Sequence, residues 1–503
     1  MSSFLPQGAL PSNQEKEDLR VQGIQWALGN GLVVFPRSTL GSLGDGTTVV
    51  HAPFSLLPTP FPQSCFEEAL ALQPMINVLI DRVAQDDAYI SKVMESVIKV
   101  DPFTARLYKL YKDTHELAQV RKVSVGLGVL RSDYLLHQEP NDGSSISIRQ
   151  VEVNTIAASF AVLSEKITLL HRFLDGYRGD IKGEKTQPKI VSSLPDNNSA
   201  HNIARSLYQA YKASFESDRS GYMLMVVQPG ERNIFDQRGI EHALLQCSME
   251  KGESVIKTIR CSLRELGEEA TLQPETNHLL FRGHKIHLVY YRSGYSPDDY
   301  TEEGSENLAW EGREKVELST AIACPSATYH LIGAKKIQQE LSRPGILERF
   351  IPKANEVKRV RESFAGLYPL DETPEGESAV RMALKDPEGF VMKPQREGGG
   401  NNIYGDDIPK VLKELSIKER CAYILMDLIK PPRVQGFMVR DGTVHEGEVV
   451  SELGIYGAII RMHHSGEILV NDTAGHLLRT KGAETREGGV AVGFAVMDSP
   501  RLY

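Results

Sequence analysis

Cysteine is scarce and unpatterned: the five residues Cys65, Cys247, Cys261, Cys324 and Cys421 show neither metal-ligand nor redox spacing, and their odd number argues against a disulfide framework. A reducing compartment fits that usage. No apolar run approaches the roughly 20 residues that a membrane-spanning helix needs. The segment from Met1 to Arg20 carries Pro6, Pro11, Glu15, Glu17 and Asp18 where a secretory leader has a basic and then an apolar region, so it does not read as a signal peptide. Gly-x-x-x-x-Gly-Lys-Ser/Thr is absent, and no Gly-x-Gly-x-x-Gly follows a strand, which removes the two commonest glycine-rich nucleotide fingerprints. The fourteen histidines form no metal-binding pattern, and no Gly-x-Ser-x-Gly or Cys–His arrangement suggests a covalent nucleophile. Internal repeats and coiled-coil heptads are missing as well.

What is present is a globular chain of 503 residues, 41% hydrophobic, with material for roughly three ordinary domains. A net charge of −9, with acids and bases interspersed, favours solubility and argues against general affinity for nucleic acid or anionic membrane. Local basic sites stay open. Ile76, Leu79, Ile80 and Val83 fall at helical spacing, with Pro74 expected near the first turn. From Ser124 to Ser159 the pattern becomes strand–hairpin–strand: Val125–Leu130 and Ile148–Val153 flank a turn with Asn141-Asp-Gly143. The polar stretch Arg178–Asn197 reads as a surface excursion, and a domain boundary is expected near Ser220. Between Gly221 and Gly333, apolar Met223–Val227, helix-like Ile240–Leu245 and apolar Ile286–Tyr291 predict a parallel α/β layer. Arg232 and Arg292 follow its two apolar runs, where open parallel sheets place ligands; the expected guest is anionic, although ordinary surface arginines fit either position alone. After Lys335 come helices, then antiparallel strands joined by Arg440-Asp-Gly442 and His464-Ser-Gly466 turns.

The chemistry concentrates in Lys393-Pro-Gln-Arg-Glu-Gly-Gly-Gly-Asn-Asn402 and Tyr404, directly after the strand-like Phe390-Val-Met392. Gly398, Gly399 and Gly400 let backbone N–H groups approach phosphate oxygens, Lys393 adds a cation, and Glu397 offers an oxygen to magnesium. A loose lid over a nucleotide triphosphate is one reading; a flexible surface linker is the other. Glu152 and Asn154, two apart on a strand, share a face and suit a hard cation, or else a solvent-facing polar row. Glu452, Arg479 and Lys481 stand in later strands, where each also suits an ordinary surface charge. Gly488–Gly493 is a second glycine-flanked segment, small enough for close approach to a substrate or for strand-end packing. A phosphate clamp, metal ligands and an anion-binding layer together suggest that ATP activates a carboxylate, which an amine then attacks.

Several segments occurring in order resemble eukaryotic glutathione synthetase, of the ATP-grasp superfamily: Arg131-Ser-Asp-Tyr134, Val151-Glu-Val-Asn-Thr155, Glu231-Arg-Asn-Ile-Phe-Asp-Gln237, Lys393–Asn402, Ser451–Gly454 and His476–Lys481. The resemblance implies an α/β and α+β architecture. It has an ATP-grasp-like body with an antiparallel sheet (residues 1–219 and 334–503), an inserted parallel α/β substrate-binding domain (220–333) and a glycine-rich lid (about 366–446). It further implies a cytosolic homodimer joining γ-glutamylcysteine to glycine with ATP and two Mg²⁺, through an acyl-phosphate. On that resemblance Glu152, Asn154 and Glu397 match the metal ligands. Lys335, Lys393, Pro394, Gln395, Arg396, Glu397, Gly398, Gly399, Gly400, Asn401, Asn402, Tyr404, Met426, Asp427, Leu428, Ile429, Glu452, Lys481 and Glu487 match the nucleotide site, with Glu152 beside them. Arg131, Ile156, Ala157, Ala158, Ser159, Glu231, Arg232, Asn233, Gln237, Arg292, Ser293, Gly294, Tyr295, Arg479, Val490 and Ala491 match positions that hold the dipeptide. Arg479, Lys393 and Lys335 are then the residues expected to stabilise the transferred phosphoryl group. Two positions depart from the family pattern: Ala491-Val492 stands where Ala-Ala is common, and Asp427 where a longer acid is common. The first bears on the choice between glycine and β-alanine as amine.

Overall fold

A computed structural model describes residues 10–36, 48–120, 125–138, 145–181, 193–215, 218, 220–252, 255–301, 306–396, 400–485, 490, 493 and 495–503. Its largest sheet has seven strands in the order Val434–Arg440, Phe54–Ser55, Ala495–Asp498, Ile468–Gly482, Thr443–Met462, Val125–Gln138 and Ile146–Asn154. All neighbours are antiparallel except Phe54–Ser55 with Ala495–Asp498. Val434–Arg440 also pairs with the start of Thr443–Met462, so these strands curl back on themselves. Their connection is the expected tight turn, with Asp441 at φ 46° and Gly442 at φ 77°. Two successive left-handed residues are what a two-residue hairpin turn requires, and Asp-Gly supplies them cheaply. The hairpin Val125–Gln138 with Ile146–Asn154 is also present; the Asn141–Gly143 turn lies outside the described residues.

Strand alternation decides what each face of this sheet does. Leu453, Ile455, Ile459 and Leu478 point to one side and pack against the apolar stripe of the helix Gln63–Ala84. Pro74 stands in the middle of that helix rather than near its first turn. Proline lacks the N–H that would bond the carbonyl four residues back. Thr473 Oγ1 donates to that carbonyl, Leu70 O, at 3.3 Å, and Asn471 Nδ2 donates to Pro74 O at 3.1 Å. A side-chain hydrogen bond from the sheet therefore stands in for the missing intrahelical one. Of the polar stretch Arg178–Asn197, residues 182–192 lie outside the described residues, and its two described ends are a continuation of the helix Ala161–Ile181 and an anchored Asn197. Asn197 is buried and bonds the backbone of His476 with both ends of its amide.

A second sheet has six strands. Tyr222–Val226, Thr258–Cys261, His284–Tyr291 and Ile322–Cys324 are parallel, and Ala270–Leu272 and Leu279–Phe281 form an antiparallel edge. The helix Ile234–Glu250 follows its first strand. A third, antiparallel sheet runs Leu367–Pro369, Tyr423–Asp427, Phe390–Pro394, Ile403–Tyr404. The fold is thus mixed α/β with an antiparallel body sheet and a mainly parallel second sheet. Among the described residues no helix is long and apolar enough to cross a membrane.

Candidate functional site

The face of the seven-stranded sheet opposite the Gln63–Ala84 helix floors a cavity of about 660 Å³. Register explains its composition. Glu152 pairs across with Asp133 and Asn154 with Arg131; Asp133 pairs with Gly454 and Arg131 with Tyr456; Glu452 pairs with Arg479. Side chains two apart on each strand share this face, so acids and cations from four strands form one mosaic.

Asp133, fully buried, is its hub. Its carboxylate accepts from Arg131 Nε at 2.7 Å and Nη2 at 2.8 Å, from Asn154 Nδ2 at 2.9 Å and from Arg479 Nη2 at 3.0 Å. Arg479 also donates to Glu452. A carboxylate taken out of water needs such multiple charge-assisted donors to offset desolvation. Burial disfavours the Arg479 charge, but Glu452 and Asp133 outweigh it and raise its pKa. Burial raises the Glu452 carboxyl; Arg479 opposes this, and neighbouring Asp133 and Glu152 add to it. Gly454 makes the hub possible, because a Cβ there would stand 2.7 Å from Asp133 Oδ1 and 2.9 Å from Arg131 Cδ.

Glu152 sits at the edge of this floor, where Lys335 Nζ lies 3.1 Å from its Oε2. Lys393 Nζ donates to Val151 O at 3.1 Å. Burial works against the Glu152 charge, but Lys335 and Lys393 together overcome it and hold the carboxyl near 2. The Lys393 ammonium is pulled down by burial, with Glu152 opposing that effect. Asn154 spends its Nδ2 protons on Asp133 and the Arg131 carbonyl, which leaves Oδ1 as its acceptor. Above the floor, Phe390, Val391 and Met426 from the four-stranded sheet, with Leu428 and Ile429 just past the end of its strand Tyr423–Asp427, make an apolar wall, with Tyr404 and Asn402 beside it.

The polar end of the cavity comes from loops after the parallel strands. Arg292, nearly inaccessible, donates to Ser159 Oγ at 3.0 Å and to Asp236 Oδ2 at 2.7 Å, and its Nε has no protein partner among the described residues. Asp236 in turn accepts from the N–H groups of Phe160 and Val162, fixing the turn that carries Ile156, Ala157 and Ser159. Tyr456 Oη donates to Ser159 O at 2.6 Å. Glu231, Asn233, Gln228, Tyr295 and Val490 complete this end.

Of the residues expected from sequence, the cavity gathers Arg131, Glu152, Asn154, Ile156, Ala157, Ser159, Glu231, Asn233, Arg292, Tyr295, Lys393, Asn402, Tyr404, Met426, Asp427, Leu428, Ile429, Glu452, Arg479, Lys481 and Val490. Lys335 reaches it through Glu152. Others stand off the lining. Ala158 packs in the core; Gln237 is buried beneath Glu231, to which it donates at 3.1 Å; Arg232 Nε bonds Phe35 O at 3.0 Å. Ser293, buried, and Gly294 are likewise off the lining. Pro394, Gly400 and Asn401 also lie off it, Gln395 accepts from Lys336 N at 3.0 Å, and Arg396 pairs with Asp101 at the start of the helix Pro102–Val120. Glu397, Gly398, Gly399, Glu487, Ala491 and Val492 lie outside the described residues. Asp133, Asp236, Tyr456 and Gln228 were not singled out from sequence. Asp133 was within reach, since it stands two residues from Arg131 on a strand and therefore on the same face.

Mixed α/β sheets walling a cleft, with apolar side chains at one side and interleaved cations and carboxylates on its floor, define the class: a mixed α/β protein with a large, strongly charged cleft. The chain belongs to the eukaryotic glutathione synthase family, whose ATP-binding-domain model matches residues 13–502. It is 39% identical to glutathione synthetase of Dictyostelium discoideum over 492 residues, covering 97% of this chain and 99% of that one. To the chloroplastic glutathione synthetase of Arabidopsis thaliana it is 40% identical over 488 residues, covering 96% of this chain and 85% of that one. Among solved structures, a glutathione synthetase-like effector from Globodera pallida in apo form superposes with a TM-score of 0.76 at 21% identity, over 98% of both chains, and this likeness speaks for the fold. The family expected from the motifs is the family found.

Proposed function

We propose that the chain is an ATP-dependent ligase that joins γ-glutamylcysteine to glycine, releasing glutathione, ADP and phosphate through an acyl-phosphate. The observation that carries this reading is the convergence of Lys335, Lys393 and Arg479 around Glu152 and Asp133, between the apolar wall and the polar end. A base held against the wall would bring its phosphates over that floor. A cysteinyl carboxylate held near Arg131 and Arg292 would meet them there. The carboxylate oxygen attacks the γ-phosphorus and ADP leaves; the glycine amine then attacks the acyl carbon, phosphate leaves and a proton is released. Lys393, Lys335 and Arg479 stabilise the charge that spreads over the phosphoryl oxygens, a mainly electrostatic form of catalysis.

The donor set suits Mg²⁺: Glu152 offers a carboxylate held ionised, and Asn154 offers Oδ1, since its other end is committed to Asp133. Bound there, Mg²⁺ would neutralise phosphate charge, with Glu397 as the third proposed ligand. The glycine-rich segment at 398–400 is proposed as a lid that excludes water, because an acyl-phosphate open to solvent hydrolyses. We also propose the division into body residues 1–219 and 334–503, inserted domain 220–333 and lid at about 366–446, a cytoplasmic location and a homodimer; light scattering tests the last. Steady-state ADP release with γ-glutamylcysteine and glycine, β-alanine or neither tests the reaction. Release that requires glycine supports it. Release with the dipeptide alone, leaving a stable phosphorylated product, points to a phosphotransferase and sinks it.

A further inference from the structure

One carboxylate outside the residues so far assigned organises a whole loop. After the strand His284–Tyr291 the chain turns through Arg292–Ser296 into a short helical turn at Pro297–Tyr300. Asp299 Oδ2 accepts from the N–H of Gly294 at 2.9 Å, of Tyr295 at 3.0 Å and of Ser296 at 3.2 Å. Successive peptide N–H groups aimed at one point form a concavity that attracts an anion, and here the chain fills it with its own side chain. Gly294, at φ 90°, supplies the conformation that brings them together.

The other carboxylate oxygen, Oδ1, accepts from Gln228 Nε2 at 2.6 Å. A carboxylate only accepts, so this bond decides which end of the Gln228 amide faces Asp299. The same Nε2 donates to Tyr295 Oη at 3.1 Å. Both amide protons are then committed. Gln228 Oε1 and the Tyr295 hydroxyl proton are left for the cavity that both residues line. Burial, reinforced by Asp299, raises the Tyr295 phenol to about 12, so it keeps its proton at neutral pH.

We propose that Asp299 is a positioning residue for the substrate end of the cleft: it sets the polarity of the Gln228–Tyr295 pair, so that an acceptor from Gln228 stands beside a donor from Tyr295. This rests on the ligase reading. An acceptor next to a donor, at the end that carries Arg292 and Glu231, addresses the amino and carboxyl groups of the dipeptide and leaves the nucleotide untouched.

The test uses the full-length enzyme. Asp299→Asn can donate where the carboxylate could not, which frees the Gln228 amide to turn, and Asp299→Ala empties the concavity. In both, KM for γ-glutamylcysteine rises about tenfold, while KM for ATP and kcat stay within about twofold. Gln228→Ala gives a similar rise, and combining it with Asp299→Ala adds little, because the two side chains act as one unit. If Asp299→Ala does not fold, the isosteric Asp299→Asn and Gln228→Ala decide. An unchanged dipeptide KM, or parallel rises in the KM values of dipeptide and ATP, overturns the proposal and leaves Asp299 a fold-stabilising residue. Wild-type enzyme that releases no ADP with dipeptide and glycine overturns the ligase reading itself, before any variant is compared.

Discussion

The floor of the cleft and its apolar wall both rest on antiparallel sheet, yet they are built in opposite ways. On the floor, four strands contribute charged or amide side chains to one mosaic, and Asp133 alone engages Arg131, Asn154 and Arg479. On the wall, the side chains of Val391, Met426, Leu428 and Ile429 are apolar. Charges fixed by buried partners are already oriented when a ligand arrives, which is what stabilising a fleeting charge demands. An apolar slot binds the same flat group equally well before and after chemistry. The floor should therefore govern turnover and the wall affinity.

Arg479→Ala is the severest way to break that contrast. It lowers kcat for ligation by about 10²–10³-fold, and Arg479→Lys, which keeps the charge but not the fork, recovers part of the loss. A kcat within threefold of wild type, read by steady-state ADP release, would move charge stabilisation off the floor. Gly454→Ala comes next. Its Cβ would collide with Asp133 and Arg131, so both must shift, and a displacement of that size costs about 10²-fold in kcat/KM. A crystal structure of the variant with Arg131 still paired to Asp133 would contradict the mechanism even if activity fell. At the wall, Met426→Ala raises KM for ATP about tenfold and leaves kcat within about twofold. A fall in kcat there would erase the distinction between the two sheets.

The smallest effect is a pH dependence behind the floor. His476 is buried against Phe66, and burial drives its pKa from 6.5 down to about 3. The unfolded chain binds its proton below pH 6.5 while the folded one stays neutral. The stability tied to neutral His476 is thus present above that pH and is lost as pH falls towards 3. His476→Gln flattens the slope of Tm against pH between 6.5 and 4, measured by calorimetry, and an unchanged slope assigns the acid sensitivity elsewhere.

Much of the floor was legible in the chain because strands repeat every two residues. That Glu152 and Asn154 share a face needed only that rule, and the Asp441-Gly442 turn needed only the readiness of Asp-Gly for left-handed backbone. Of the two arginines expected after the parallel strands, Arg292 does line the cavity, whereas Arg232 turns away to Phe35 O. What stayed hidden were choices made by partners far along the chain. Asp133 meets Arg479 across 346 positions, and Arg396 turns to Asp101 across 295. No local pattern encodes such pairings, so a Lys-Pro-Gln-Arg run reads as four ligand contacts when the arginine is held by a helix start. Pro74 sits mid-helix for the same reason: a donor from the sheet, far along the chain, serves the carbonyl that the proline leaves without an intrahelical bond.

That proline has a mechanical consequence. By handing the Leu70 and Pro74 carbonyls to Thr473 and Asn471, the helix Gln63–Ala84 is stitched at its midpoint to the strand that ends in Arg479 and Lys481. Amide protons in the middle of that helix and in the strand should therefore exchange with solvent as one cooperative unit, so that loosening either one slackens the other.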